Sequence, residues 1–186
     1  YINIGISLGL SQMLDKNLIY ILAFLVAALM ATDMGGPINK AAHMFAIAYA
    51  TDSLKQGNTL GIIILAANVV GLMIPPLGVS MAAWLFPQKF SKEERTSSIA
   101  NAVCGVFGIT EGAIPSLVRD PARVILSCMA GSLVGGVISA AFSFNVISPE
   151  GGLISIFMSG AICYQGLIAL VAGSFVTALL LGLTKP

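Results

Sequence analysis

Long uncharged stretches dominate the pattern of hydrophobic and polar positions along the chain. Three of them, residues 56–88, 124–149 and 151–184, are each longer than the ~20 residues that a helix needs to cross a bilayer. The pattern therefore predicts at least three membrane crossings. The expected fold is an all-α integral membrane protein, a polytopic helical bundle.

The N-terminal third predicts two helices separated by a turn. Residues 17–32 are apolar and run into Asp-Met-Gly-Gly-Pro, residues 33–37, a sequence that a helix interior does not readily carry. The helix that follows, residues 38–54, is too polar for a lipid-facing span, so part of it should face protein or water. Its polar residues include Asn39, Lys40 and His43.

A proline pair and a polar loop follow in the middle of the chain. Pro75-Pro76 removes backbone donors, which predicts a broken helix in mid-membrane. Residues 87–98 are strongly polar, and Ser91 with Glu94 fits a capping box that begins a helix. The Lys and Arg residues of this loop place it in the cytoplasm by the positive-inside rule.

The segment after this loop predicts a re-entrant hairpin. Arg119 and Arg123 place its far end in the cytoplasm too, so residues 99–118 start and end on one side, with Glu111 at the tip. Transmembrane spans are expected at residues 124–144 and 160–183. A partial insertion near 153–159 makes one or two re-entrant segments in all.

Composition supports a membrane protein and narrows the possible functions. Hydrophobic residues make up 57% of the 186 positions and charged residues 9%, and a chain of this length cannot enclose so many apolar helices in a soluble shell. The net charge of +1 comes without a basic cluster, so no nucleic-acid partner is expected. Small residues four apart on one predicted helix, among them Gly131 and Gly135, favour close helix packing.

No metal or cofactor is expected. His43 is the only histidine, and a lone histidine does not make a metal site of ordinary ligand count. The three cysteines lack CxxC spacing and lie in apolar runs, which is typical of inert thiols. No dinucleotide or phosphate-loop fingerprint is present. The three cysteines are Cys104, Cys128 and Cys163.

Glu111 is the main candidate for chemistry. A carboxylate at membrane depth costs about 2.5–3.5 kcal/mol unless partners or water meet it. It could accept hydrogen bonds from backbone amides freed at its own turn, or it could bind the hydroxyls of a polyol substrate. The Asp33–Lys40 break is a second polar group, either a binding element or a simple capped turn, and Pro149-Glu-Gly-Gly is expected to be a surface turn.

Five motifs together resemble the membrane (IIC) domain of the fructose-type phosphotransferase-system (PTS) permeases. The motifs occur in the family's order from about residue 15 to the C-terminus. This part of the chain resembles the C-terminal half of such a domain. The lack of a signal peptide after Tyr1 also fits a piece of a longer chain. The motifs are Asp33-Met-Gly-Gly-Pro-Ile-Asn-Lys-Ala-Ala, Pro75-Pro-Leu-Gly, Gly108-Ile-Thr-Glu-Gly-Ala-Ile-Pro, Asp120-Pro-Ala-Arg and Gly151-Gly.

The resemblance implies a sugar permease that works with other PTS domains. A fructose-like sugar is expected to bind within the membrane domain and to be phosphorylated by a phosphocysteine on a IIB domain. A IIA domain is a further expected partner. This chain lacks the IIB cysteine signature and so cannot be the phosphoryl donor. A homodimer in the bacterial cytoplasmic (inner) membrane is also implied.

The resemblance also assigns site residues. Glu111 is implied to be catalytic, contacting the sugar near the hydroxyl that attacks phosphorus. The other implied substrate-binding residues are Thr110, Gly112, Asp33, Gly35, Gly36, Asn39 and His43. The chain departs from the family pattern at Glu150, Ser116 and His43, where the family usually has His, an aromatic residue and Tyr, and this leaves the sugar open.

Two alternatives from the residues stay open. Broken helices with an acidic residue near the midplane also suit an ion-coupled secondary transporter of a small polar solute. The second alternative is a structural scaffold that binds no substrate unless further helices precede residue 1. Sugar transport in the absence of a phosphoryl donor would favour the transporter.

Overall fold

The computed structural model describes residues 5, 8–10, 18–146, 148–160 and 163–186, and its regular structure within these ranges is helical. Two 3₁₀ turns, Pro87–Lys89 and Thr110–Ala113, lie between the longer elements. The α-helices are α1 (Ile19–Leu29), α2 (Pro37–Lys55), α3 (Leu60–Leu85), α4 (Lys92–Val106), α5 (Ile114–Arg119), α6 (Pro121–Ala141), α7 (Leu153–Phe157) and α8 (Cys163–Thr184).

Three of these helices, α3, α6 and α8, are long and apolar enough to cross a membrane. They pack against one another, and α3 also contacts α1, α2 and α4, so it is the central helix of the bundle. The all-α polytopic membrane fold is thus confirmed.

Small side chains let α6 and α8 approach closely. A Cβ added at Gly131 would collide with Thr177 and would lie 2.5 Å from the Gly173 carbonyl oxygen. One turn further along α6, a Cβ at Gly135 would lie 3.2 Å from the Ala169 carbonyl. The close packing predicted from the spacing of these small residues is confirmed.

The predicted break at Pro75-Pro76 is wrong. Helix α3 continues through both prolines, although Pro75 has no N–H to donate to the Gly71 carbonyl. The Ser132 hydroxyl of α6 donates to that carbonyl at 3.5 Å. A neighbouring helix therefore meets the freed backbone group, which is how prolines are tolerated inside membrane helices.

The other two local predictions are confirmed. Helix α1 ends at Leu29 and α2 begins with Pro37 at its first turn, so the glycine-rich turn separates them as expected. At α4, Ser91 Oγ accepts from the Glu94 amide and the Glu94 carboxylate accepts from the Ser91 amide, which completes the capping box.

Helices α4 and α5 form a hairpin around the turn Thr110–Ala113. Its two ends meet, because the Arg119 guanidinium donates to Ser91 Oγ and lies 3.4 Å from the Glu93 carboxylate. The end of α8 reaches the same place through Lys185. The polar residues assigned to one side of the membrane are therefore neighbours, whereas entry of the hairpin into the bilayer stays a prediction.

Candidate functional site

A cavity of about 520 Å³ lies where the turn before α2, α2 itself and the hairpin turn converge. This volume falls within the usual range of small-molecule sites, about 300–1,000 Å³. Six of its ten lining residues have polar or charged side chains. The lining residues are Gly35, Asn39, Lys40, His43, Leu72, Gly108, Ile109, Thr110, Glu111 and Glu150.

Glu111 lies on the hairpin turn with its side chain over Gly35. A Cβ at Gly35 would be 2.5 Å from Glu111 Oε1, so a larger residue there would displace the exposed carboxylate from this position. Gly35 also has a φ of +103°, which side chains rarely adopt. The chain therefore uses one glycine both to make the turn and to admit Glu111. Thr110, next to Glu111, is buried and lines the same cavity.

Asp33 holds the turn before α2. Its carboxylate accepts from the backbone amides of Ile38 and Asn39, at 2.7 and 2.8 Å, and so caps the helix. A Cβ at Gly36 would collide with this carboxylate. Asp33 and Gly36 thus shape the wall behind the cavity, and neither lines it.

Asn39 and Gly112 fix the walls from two sides. Asn39 is buried, lines the cavity and donates from Nδ2 to the Met30 carbonyl at 2.6 Å. Gly112 faces away from the cavity, since a Cβ there would lie 2.7 Å from Cys104 Cβ and 3.3 Å from Pro76 Cβ. Its place is in the packing of the hairpin turn on α3 and α4.

His43 connects two distant parts of the chain. Its Nε2 lies 3.0 Å from Glu150 Oε1, and its Nδ1 lies 3.0 Å from Nδ2 of the fully buried Asn68. In the neutral tautomer, Nε2–H donates to Glu150 while Nδ1 accepts from Asn68. A buried amide on α3 thereby orients a histidine that in turn holds a loop carboxylate.

The structure brings together five of the eight predicted site residues, namely Gly35, Asn39, His43, Thr110 and Glu111. Sequence reasoning missed Lys40 and Glu150. Lys40 belongs to the polar break already singled out, but Glu150 was expected to be an ordinary surface turn. The glycines after Glu150 were the available signal, because Gly152 packs directly on the hairpin backbone.

The arrangement suits a neutral, hydroxyl-rich ligand. Two carboxylates accept hydrogen bonds, Lys40 donates them, and the imidazole does either. Within the ranges that the structure describes, no group of three or more His, Cys, Asp or Glu side chains could hold a metal ion. The lining residues are therefore best suited to bind a ligand through hydrogen bonds.

Fold and cavity together define a polytopic membrane protein with a carboxylate-bearing polar site, and curated relatives specify its class. The chain is 41% identical over 169 residues to the fructose-specific EIIB'BC component of a Rhodobacter capsulatus PTS, covering 89% of this chain and 28% of the relative. It is 34% identical over 184 residues to a fructose-specific EIIC component of Haloferax volcanii, covering 99% and 47%. A fructose-like permease IIC component of Escherichia coli is 36% identical over 175 residues, covering 94% and 46%.

The chain belongs to the IIC family of fructose-type PTS permeases. It spans just under half the length of the two relatives that are IIC components, and less than a third of the Rhodobacter capsulatus protein. No protein-family model matches it, and no solved structure matches it with significance.

Proposed function

We propose that this chain forms the sugar-binding and translocating part of a phosphoenolpyruvate-dependent PTS permease in the bacterial cytoplasmic membrane. The observation that carries the proposal is Glu111, seated over Gly35 in a cavity of about 520 Å³ that five further polar or charged residues help to line. The relatives along nearly the whole chain are named fructose-specific or fructose-like, which supports a fructose-like sugar as substrate.

In this proposal Glu111 acts on the sugar hydroxyl that is phosphorylated. The hydroxyl oxygen forms a bond to phosphorus while the S–P bond of the donor phosphocysteine breaks, and the thiolate stays on the IIB domain. Glu111 aligns the hydroxyl and accepts its proton. Because phosphoryl transfer has a loose transition state, positioning is the larger part of the task.

The remaining lining groups bind the rest of the sugar. Thr110 and Asn39 supply hydrogen bonds beside Glu111, and Gly35 supplies room and backbone groups. Asp33, Gly36 and Gly112 contribute indirectly, through the turns that place these ligands.

Further PTS domains complete the reaction. The names EIIB'BC and EIIABC of relatives support a working complex with IIB and IIA domains, as fused domains or as separate subunits. We include a homodimer in the proposal, as the family resemblance implies. The ion-coupled transporter is not favoured, because the relatives are PTS components.

The decisive experiment replaces Glu111 by Gln in the full-length permease and measures phosphorylation of radiolabelled D-fructose by phosphorylated IIB. Transfer should fall by about 10²–10⁴-fold, the usual contribution of a general base. The matched control is Asp52→Asn, which removes an exposed carboxylate from α2 outside the cavity.

Wild-type rates in Glu111→Gln would show that Glu111 is not the catalytic base. Sugar accumulation in vesicles that contain no phosphoryl donor, driven by a proton or sodium gradient, would instead support the secondary transporter.

A further inference from the structure

We propose that Lys40 is a further catalytic residue of the phosphoryl transfer, and that its ammonium binds the phosphoryl group while Glu111 serves the attacking hydroxyl. The inference deepens the proposed function and rests on it, since it concerns the second reactant of the same step. It assigns to a side chain of this cavity the anionic reactant, which Glu111 alone does not serve.

The first support is the position of Lys40 on the first turn of α2. Its backbone amide donates to the Gly36 carbonyl at 3.0 Å, and Gly36 directly follows Gly35, the glycine over which the Glu111 carboxylate lies. Lys40 and Glu111 both line the cavity of about 520 Å³. A cation and a carboxylate therefore border one volume of the size that a small ligand fills.

The second support is the charge balance of the lining. Glu111 and Glu150 each bring a carboxylate to the cavity, and Lys40 is the only Lys or Arg among its ten lining residues. The phosphoryl group of a phosphocysteine is itself anionic, so carboxylates at close range repel it. A cation is needed where its oxygens lie, and Lys40 is the lining residue that supplies one.

The third support is that Lys40 is available, whereas the nearby backbone donors are not. The amides of Ile38 and Asn39 at the start of α2 already donate to the Asp33 carboxylate, so they are not open to a phosphoryl oxygen. Among the residues that the structure describes, Lys40 is exposed and forms no ion pair, while Lys55 of the same helix is paired. The ammonium is therefore the donor that an incoming phosphoryl group can reach.

In the step itself, the sugar hydroxyl oxygen forms a bond to phosphorus as the S–P bond of the phosphocysteine breaks. The hydroxyl proton goes to Glu111, and the thiolate with its electron pair stays on the IIB domain. The Lys40 ammonium keeps its protons and donates hydrogen bonds to the phosphoryl oxygens, over which the loose transition state spreads its charge. Because this contact is absent when the sugar alone is bound, it raises the rate of transfer without raising sugar affinity.

Phosphorylation of radiolabelled D-fructose by phosphorylated IIB tests this role in the full-length permease. Lys40→Met keeps a long unbranched side chain and removes its charge, so kcat should fall about 10²-fold, the loss typical of one preorganised donor. The dissociation constant of D-fructose, measured without IIB, should stay within about threefold of wild type. Lys40→Arg, which keeps the charge, should retain at least about a tenth of the wild-type kcat.

The matched control is Lys55→Met, which removes an exposed cation from the same helix outside the cavity and should leave kcat and sugar affinity unchanged. Lys40→Gln replaces the Met variant if the latter has a lowered thermal unfolding midpoint.

A wild-type kcat in Lys40→Met, or equal losses of kcat in Lys40→Met and Lys40→Arg, would overturn the inference. A loss of D-fructose affinity in Lys40→Met as large as its loss of kcat would do the same, since Lys40 would then bind the sugar. Failure of the proposed function gives a different result, because the wild type itself would then transfer no phosphoryl group to D-fructose.

Discussion

The ammonium of Lys185 lies 2.8 Å from Oε1 of Glu94, and each side chain is only 6% exposed. The other oxygen of Glu94 accepts from the Ser91 amide in the capping box of α4. Lys185 also lies 4.0 Å above the ring of Phe90, and its carbonyl accepts from Lys89 Nζ at 2.7 Å. This cluster fixes the start of the hairpin to the residue that follows α8.

Removing one partner of this pair should destabilise the protein. Lys185→Met leaves the Glu94 carboxylate buried without its cation, which costs about 3 kcal/mol for pairs of this kind. The free energy of unfolding in detergent micelles at neutral pH measures the loss. Lys92→Met, at an exposed lysine of the same polar region, should change it by less than about 0.5 kcal/mol. Equal effects of the two substitutions would contradict a buried pair.

Acid should weaken the same pair. Burial alone would raise the pKa of the Glu94 carboxyl, but the hydrogen bonds from Lys185 and the Ser91 amide, with the charges of Lys185 and Arg119, hold that pKa below its ordinary value. A depressed carboxyl pKa contributes stability above the unfolded value, and that contribution is lost as the pH falls through the folded pKa. Unfolding measured from pH 6 to pH 3 should show this loss in wild type and a smaller one in Lys185→Met. If stability falls with pH to the same extent in wild type and in Lys185→Met, the pair does not contribute to the acid sensitivity.

Gly35→Ala should abolish sugar binding. The new Cβ meets the Glu111 carboxylate and also strains a backbone with φ of +103°. Gly57→Ala is the matched control, because Gly57 has a φ of +72° and open space around it. Both variants should lose about 1 kcal/mol or more of stability through backbone strain, but only Gly35→Ala should lose binding of D-fructose. Retained binding of D-fructose in Gly35→Ala would show that sugar binding does not depend on the position of the Glu111 carboxylate over Gly35.

Gly131→Ala should separate α6 from α8. Its Cβ collides with Thr177, and overpacking of this kind costs about 1–3 kcal/mol. Thermal unfolding of the purified protein is the measurement. Leu133→Phe adds volume to an exposed position of the same helix and should leave the midpoint nearly unchanged. A similar shift in both variants would show that the close contact is unimportant.

Local sequence rules predicted the features that depend on neighbouring residues. The capping box of Ser91 and Glu94 and the break at Gly35-Gly36 follow from side chains and backbone preferences within a few positions. The long apolar helices follow from the lengths of the uncharged stretches. Each of these needs no information about the rest of the fold.

The misses arise from contacts between distant residues. Pro75 was expected to break α3, but the Ser132 hydroxyl, which comes from another helix, meets the Gly71 carbonyl. Glu150 was expected to be a plain turn, but it bonds to His43 at a separation of 107 positions. Such pairings depend on tertiary packing, so no local pattern in one sequence announces them.

The glycine contact between Gly152 and Gly108 has a mechanical consequence. With no side chain between them, the loop and the hairpin turn touch backbone to backbone, so a shift of one displaces the other. The hairpin is predicted to enter from the cytoplasm and the loop to come from the opposite face. On that prediction, the turn that carries Glu111 and the loop that carries Glu150 meet inside the membrane through backbone atoms alone.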